Sequence, residues 1–218
     1  MKKIAVLLLV PCAFVLSICF WTDVSAVENN KTKVELSLDD QNRLALKAFE
    51  KILEITDSDE REKILPRLEE AYIEITRLYP GAHLTQEVYW RLMGIYLDEY
   101  SPPMYAKAED LRKGFHQNFP ESRMKDSIDR MLSDSYYRNG KWDKLLDMHT
   151  PSVKRSIETG QFNKIYDIFM YTEAKFGLDD FVEAEKGYKI VLANFPSSRE
   201  SATAQKRLEE IEAKKKKK

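Results

Sequence analysis

The sequence predicts an all-α protein in which antiparallel helical hairpins stack side by side as a short solenoid. Three observations indicate this architecture. Apolar residues recur at helical spacing through most of the 218 residues. Only seven glycines are present and 33% of the residues are charged, which is typical of a folded, helix-rich chain. The third observation is a hexapeptide that recurs between helical segments.

This hexapeptide is Asn-Phe-Pro-x-Ser-Arg, and it occupies residues 118–123 and 194–199. A weaker copy at residues 78–83 precedes the first full copy by 40 residues. In each copy the aromatic residue is predicted to end one helix, because the following proline cannot continue it. The Ser or Ala two positions after the proline then starts the next helix. The copies therefore predict boundaries between successive helices.

Helical periodicity and helix-breaking residues together predict nine helical segments. Ser37 and Asp40 form a capping-box-like start for the first one, and Ser197 and Glu200 form a capping box for the last. The predicted ends are the break at 57–59, Tyr79, Tyr100, Phe119, Arg138, Pro151, Phe176, Phe195 and the lysine run.

Two of these ends rest on single residues. Pro151 is predicted to end the sixth helix, with an irregular stretch up to Gly160 after it. Gly177 is predicted to stop the seventh helix in a left-handed conformation.

Residues 1–26 have the pattern of a secretory signal. A short basic start precedes an apolar run, and Val24-Ser25-Ala26 is a small-residue cleavage site after Ala26. An uncleaved membrane anchor is the alternative. A further alternative is a lipobox, which residues 16–19 resemble and in which Cys19 would be lipidated. Cleavage after Ala26 would remove both cysteines and leave a mature chain without disulfides.

The rest of the chain divides into three predicted parts. Residues 27–36 are polar and aperiodic and are predicted to be a tether, and residues 37–213 form the helical repeat domain. Residues 214–218 are five consecutive lysines. This tail either is solvated or contacts an anionic membrane or cell-wall polymer.

The helical segments resemble tetratricopeptide (TPR) repeats. Trp90-x-x-Met93-Gly94-x-x-Leu97 keeps the spacing of the first repeat helix, and Phe181, Ala184, Tyr188 and Pro196 keep that of the second. The aromatic-Pro-x-Ser connections resemble the periplasmic subtype. That subtype occurs in outer-membrane β-barrel-assembly lipoproteins of BamD type and in the periplasmic protein that works with the Tol-Pal system. The resemblance covers about residues 37–214 and implies a short, TPR-like right-handed solenoid.

In TPR arrays the first helix of each hairpin lines a concave groove in which partner segments bind. The repeat spacing places eight side chains of this chain toward such a surface, and we call them the predicted groove residues. They are Arg91, Asp98, Arg130, Asp134, Tyr137, Tyr166, Phe169 and Glu173. The large aromatic residues Trp90, Tyr136, Phe181 and Tyr188 are expected in the core.

Motifs for catalysis or cofactor binding are absent from the sequence. It contains no His-Glu-x-x-His pair, phosphate-binding glycine loop or Gly-x-Ser-x-Gly elbow. His83, His116 and His149 are evenly spaced, but they differ in position relative to the repeat prolines, so no metal array is predicted. The net charge of −1 gives no case for nucleic-acid binding.

The sequence therefore predicts a non-enzymatic periplasmic scaffold, without cofactor or metal, that binds an envelope protein or peptide segment. Two alternatives remain open. One is a lipid-anchored, BamD-like subunit of outer-membrane β-barrel assembly. The other is an accessory TPR subunit of a complex that synthesises cell wall or exopolysaccharide. The oligomeric state does not follow from the sequence.

Overall fold

The computed structural model describes residues 36–56 and 60–216. The predicted signal sequence with Cys19 and Ala26 lies outside these ranges, as do residues 27–35 of the tether. The described chain is all-helical and contains no strand. Its helices are α1 (Leu38–Thr56), α2 (Arg61–Leu78), α3 (His83–Gly94), α4 (Tyr105–Asn118), α5 (Lys125–Arg138), α6 (Trp142–Thr159), α7 (Ile165–Gly177), α8 (Phe181–Asn194) and α9 (Arg199–Lys216).

The helices pack in adjacent pairs. Each one contacts its predecessor and its successor, and a π-helical turn over Ile95–Glu99 extends α3. The odd-numbered helices also contact one another in the order α1, α3, α5, α7 and α9. Within the described ranges, the contacts between successive even-numbered helices are ion pairs of long side chains, Lys107 with Glu69 and Lys144 with Glu109, and their backbones do not pack together. The odd-numbered helices therefore form a continuous row, and the predicted all-α fold of packed helical pairs is confirmed.

The three aromatic-Pro connections have the same backbone geometry. Tyr79, Phe119 and Phe195 end α2, α4 and α8 with φ between −129° and −137° and ψ between 50° and 62°. Each aromatic N–H donates to the carbonyl four residues earlier, and each aromatic carbonyl accepts from the N–H three residues later. These bonds satisfy backbone groups that a helix end leaves unpaired. The predicted role of this motif as a helix boundary is confirmed.

A buried tyrosine–glutamate contact repeats at the same interval of 40 residues. Tyr96 donates to Glu69 of α2 at 3.1 Å, and Tyr136 donates to Glu109 of α4 at 2.5 Å. Burial and the neighbouring carboxylate both raise the pKa of each tyrosine. A lysine of the following even-numbered helix, Lys107 or Lys144, pairs with the same carboxylate. Two consecutive units therefore share an interior polar contact as well as a connection.

The predicted cap of α1 is confirmed, and that of α9 is displaced by one residue. The backbone N–H of Asp40 donates to Ser37 Oγ at 3.2 Å, and Ser37 Oγ donates to the Asp40 carboxylate at 2.8 Å. At α9 the cap is Ser198, whose Oγ accepts from the Ser201 N–H at 3.1 Å. The Ser201 hydroxyl in turn donates to the Phe195 carbonyl at 2.5 Å. This second bond anchors α9 to the end of α8, which favours Ser198 over the predicted Ser197.

Pro151 does not end α6, contrary to the sequence prediction. The helix continues to Thr159 and ends at Gly160, which has the left-handed φ of 67°. A proline inside a helix costs about 3 kcal/mol because one hydrogen bond is lost and the ring crowds the preceding turn. Packing on both sides of the proline offsets this cost, since His149, Val153 and Ser156 are all buried.

Gly177 is the last residue of α7, but it does not adopt the predicted left-handed conformation. Asp179 has the positive φ of 59° instead. Gly177 lies under the indole ring of Trp142, where a Cβ atom would be 2.4 Å from the nearest ring atom. The position therefore needs glycine for close packing between α6 and α7 rather than for its backbone conformation.

The apolar core of the described chain forms two clusters. One extends from α1 to α7, and the other lies around α6 to α9. Tyr136 and Tyr188 are buried and Phe181 is half-buried, but Trp90 is 40% exposed, so its predicted core position is wrong. Trp90 is two residues from both Val88 and Leu92, about 200° around the helix from these buried side chains. No helix in the described part is long and apolar enough to cross a membrane.

Candidate functional site

The predicted groove residues of α3 and its π-turn are held by contacts within the chain. The Arg91 guanidinium lies 5.2 Å from the centroid of the Phe49 ring in α1 and pairs with Glu87 at 3.0 Å. Asp98 pairs with Arg138 of α5 at 2.5 Å, and both side chains are more than half exposed. Asp98 is therefore accessible, whereas Arg91 is partly covered by α1.

Three predicted groove residues meet where α5 packs against α7. The Arg130 guanidinium stacks on the Tyr166 ring, 4.2 Å from its centroid. The Tyr166 hydroxyl donates to Asp134 at 2.6 Å. Burial and the bond to Asp134 raise the pKa of Tyr166, so its hydroxyl remains a donor at neutral pH. Arg130 is exposed, and its stacked guanidinium keeps N–H groups available to a ligand.

Tyr137 and Glu173 belong to a separate and buried network. The Glu173 carboxylate accepts from Tyr137 at 2.8 Å and from Tyr188 at 2.6 Å. It also accepts two bonds from the Arg207 guanidinium, at 3.1 and 3.2 Å. Glu173 is only 2% exposed, so its carboxylate faces α5, α8 and α9 rather than a partner. Phe169, the eighth predicted groove residue, is half-buried against the second apolar cluster.

A cleft of about 660 Å³ lies beside the Arg130–Tyr166 pair. Its walls come from the first turns of α5 and α7, the second half of α6 and the connection 161–164, with Arg112 of α4 on one side. Arg130 and Tyr166 are the two predicted groove residues that line it. We call this feature the α5–α7 cleft, and its volume is within the range of about 300–1,000 Å³ that is common for ligand pockets.

Two aspartates of the α5–α7 cleft are already bound within the chain. Asp129 accepts from Arg112 at 2.7 and 3.2 Å and contacts His116 Nε2 at 2.7 Å. Asp167 contacts His149 Nδ1 at 3.0 Å and accepts from Ser152 at 2.5 Å. Burial alone would raise the pKa of Asp167, but these two hydrogen bonds lower it below the ordinary value.

The cations of the cleft are more available than its acids. Among the described residues, the side chain of Arg155 has no hydrogen-bonded or ionic partner, and Lys164 forms no hydrogen bond or close ion pair, although its charge helps to lower the pKa of Asp167. Both side chains are exposed. Arg130 is held only through its stacking on Tyr166. Asp126 is the one lining acid whose carboxylate has no partner within the described chain. Three available cations against one available acid make the cleft attractive to a carboxylate or another anion.

His149 links the cleft to the interior through a buried hydrogen-bonded chain. Ser133 Oγ lies 2.7 Å from His149 Nε2, and His149 Nδ1 lies 3.0 Å from Asp167. The order of contacts is that of a serine-hydrolase triad. Ser133 is fully buried, however, and no carbonyl substrate can reach its hydroxyl in this arrangement. The chain of contacts therefore serves to join α5, α6 and α7.

Arg155, Lys164 and the His149 network were not predicted from the sequence. Arg155 lies in the stretch up to Gly160 that was predicted to be irregular after Pro151, and Lys164 lies just beyond that stretch. Two features of the sequence could have revealed that α6 continues past Pro151. Val153 continues the apolar pattern of the helix, and Gly160 is a typical residue at which a helix ends. His149 and Asp167 are 18 residues apart on different helices, and nothing in their spacing indicates the contact.

The lysine run begins inside α9, which continues through Lys216. Lys214 Nζ lies 4.4 Å from the centroid of the Phe181 ring and 5.2 Å from that of Phe176, and Lys215 pairs with Glu185. The first two lysines thus help to hold the end of α9 on α7 and α8. Lys216 is exposed, and Lys217 and Lys218 lie outside the described residues. Contact of Lys214 to Lys218 with an anionic surface stays a prediction.

The three histidines occupy separate environments, and within residues 36–56 and 60–216 no group of three His, Cys, Asp or Glu side chains can hold a metal ion. Comparison of the chain with protein-family models, with curated proteins and with solved structures finds no match.

Proposed function

We propose that this chain is a non-catalytic periplasmic scaffold of the TPR type that binds a segment of another envelope protein on its odd-numbered helices. The observation that carries this proposal is the row of odd-numbered helices, joined to the even-numbered ones by three connections of one geometry. Repeated helical pairs that contact only near neighbours produce extended binding surfaces. The TPR-like right-handed solenoid belongs to the same proposal.

The exposed side chains along this row support a binding role. Trp90 is 40% exposed on α3, Asp98 follows on the π-turn, and Arg130 lies 40 residues after Trp90 on α5. Tryptophan and arginine are enriched among the residues that contribute most of the energy of protein interfaces. An exposed tryptophan on the same row of helices as accessible charges is thus better explained by a partner than by folding.

A pair of matched variants tests the binding surface. We expect Trp90→Ala with Asp98→Ala to abolish crosslinking and co-purification of an envelope partner from cells that express the tagged chain. The control is Ile73→Ala with Glu70→Ala on α2, which also removes one exposed apolar side chain and one exposed acid. Both variants should keep the far-UV circular dichroism of the parent. The proposed surface is contradicted if the folded Trp90/Asp98 variant still co-purifies the partner. It is also contradicted if the control variant loses the partner to the same extent.

The mass of the mature N-terminus tests the compartment in the same preparation. A chain that begins at Val27 in the periplasmic fraction supports the proposal. A diacylated Cys19 in the outer-membrane fraction would favour the lipid-anchored alternative, for which the lipobox-like residues 16–19 are the supporting observation. An intact Met1 in the cytoplasmic fraction would contradict both.

A further inference from the structure

The α5–α7 cleft lies beside the proposed surface but is built differently. Arg130 and Tyr166 come from odd-numbered helices, whereas Arg155 comes from α6 and Lys164 from the connection that precedes α7. Two of its three available cations therefore lie off the row of odd-numbered helices. The cleft therefore differs in composition from the surface of the odd-numbered helices.

We infer that the α5–α7 cleft binds a short extended peptide segment through one or two internal aspartate or glutamate side chains. This inference rests on the proposed function, because it takes the chain to be a protein-binding module. The carboxylates would pair with Arg130, Arg155 and Lys164. Arginine and lysine side chains form charge-assisted hydrogen bonds of this kind, and the stacked Arg130 is already oriented.

The rest of the lining fits a peptide better than an anionic polymer. Gln161 and Asn163 offer amide groups that can bond a backbone, and Met148 and Ile165 offer apolar surface for a neighbouring side chain. A nucleic acid or polyphosphate needs a continuous run of positive charge. In this cleft Asp126, Asp129 and Asp167 lie among the cations and would repel such a ligand.

The test uses the purified chain from Val27 and a phage-displayed library of random hexapeptides. We expect the selected peptides to be enriched in Asp and Glu over the starting library. The most enriched peptide is then synthesised with a fluorescent label, and its affinity is measured by anisotropy. Replacing its acidic side chains by the matching amides should weaken binding at least tenfold, because the paired charges are lost.

Charge-reversal variants locate the site. Arg155→Glu with Lys164→Glu should also weaken binding at least tenfold. Both side chains are exposed and form no hydrogen bond or close ion pair within the described chain, so the fold should be kept. The control is Lys113→Glu with Lys154→Glu, which makes the same charge change on α4 and α6 outside the cleft lining. Its affinity should stay within twofold of that of the parent.

Three outcomes would overturn the inference. These are selected peptides without acidic enrichment, an affinity that the Arg155/Lys164 variant leaves unchanged, and cleft-dependent binding of inorganic polyphosphate without binding of acidic peptides. The experiment needs no envelope partner. It can therefore succeed where the Trp90/Asp98 test fails, and it can fail where that test succeeds.

Discussion

Replacing Glu173 with glutamine is expected to destabilise the fold strongly, although repeat spacing places this residue among those that face a partner. Its carboxylate is 2% exposed and accepts four hydrogen bonds, two of them from Arg207. Burial alone would lower the pKa of Arg207, but the contacts with Glu173 raise it, so this guanidinium remains charged. The glutamine variant would leave that charge without its buried counter-ion.

The size of the effect follows from the burial of the two partners. Removing one member of a buried ion pair costs about 3–5 kcal/mol. Arg207 is 27% exposed and also pairs with Glu210 at 2.9 Å, so part of its charge stays compensated. We therefore expect a loss of about 3 kcal/mol in the free energy of unfolding, at the lower end of that range.

Glu210→Gln is the matched control, because it removes the other carboxylate that pairs with Arg207. Glu210 is 36% exposed, and exposed ion pairs contribute only about 0–1 kcal/mol. Urea unfolding followed by circular dichroism at neutral pH gives both values. A Glu173→Gln variant within 1 kcal/mol of the parent, as estimated for an exposed pair, would refute the assignment of a buried network. Loss of the partner without loss of stability would restore Glu173 as a groove residue.

Two further predictions concern the packing around the candidate site. Asp167 has a pKa below its ordinary value of 3.8 in the folded chain, so it stabilises the fold above that pH and loses this contribution as the pH falls through its folded pKa. Asp167→Asn should therefore lose less stability than the parent between about pH 5 and pH 3 in urea titrations. Equal slopes for the parent and Asp167→Asn would argue against the bonds from His149 and Ser152. Gly187→Ala should destabilise by about 2 kcal/mol in the same assay, because the added Cβ lies 2.1 Å from Thr172 Oγ1 and overpacking outweighs the gain in helix propensity. Gly114→Ala, with its nearest contact at 3.5 Å, should instead stabilise by about 0.5–1 kcal/mol, and a gain at Gly187 as well would contradict the close approach of α7 and α8.

The helix boundaries marked by aromatic-Pro motifs could be predicted from the sequence because their causes are local. A proline that cannot extend a helix and an aromatic residue that packs against its end act within a few residues of each other. The same holds for the Ser37–Asp40 cap. Such features depend little on what the rest of the chain does.

Pro151 and Gly177 show where local rules fail. Each has a local conformational preference, and in each case a contact between helices decides the outcome. Burial of Val153 and Ser156 keeps α6 helical beyond Pro151, and the Trp142 ring requires the missing side chain at Gly177. These contacts join residues that are distant in the sequence, so spacing could not reveal them.

The predicted groove residues illustrate the same limit for function. Repeat spacing assigns Glu173 and Tyr137 to one surface, but spacing does not show how deeply a side chain is buried. Glu173 is buried under α8 and α9. Arg130 and Tyr166 line the cleft where α5 meets α7, and their role in binding stays a prediction.

The α5–α7 cleft occurs where the repeat is irregular. The other connections from an even-numbered to an odd-numbered helix are short aromatic-Pro turns, whereas α6 passes through its proline, ends at Gly160 and is followed by an open segment up to Lys164. The extension of α6 supplies Arg155, and the open segment supplies Lys164. A regular connection at this point would have removed both cations. The irregular stretch that follows Pro151 in the sequence therefore contributes cations to the α5–α7 cleft. Departures from local sequence rules are expected at functional sites.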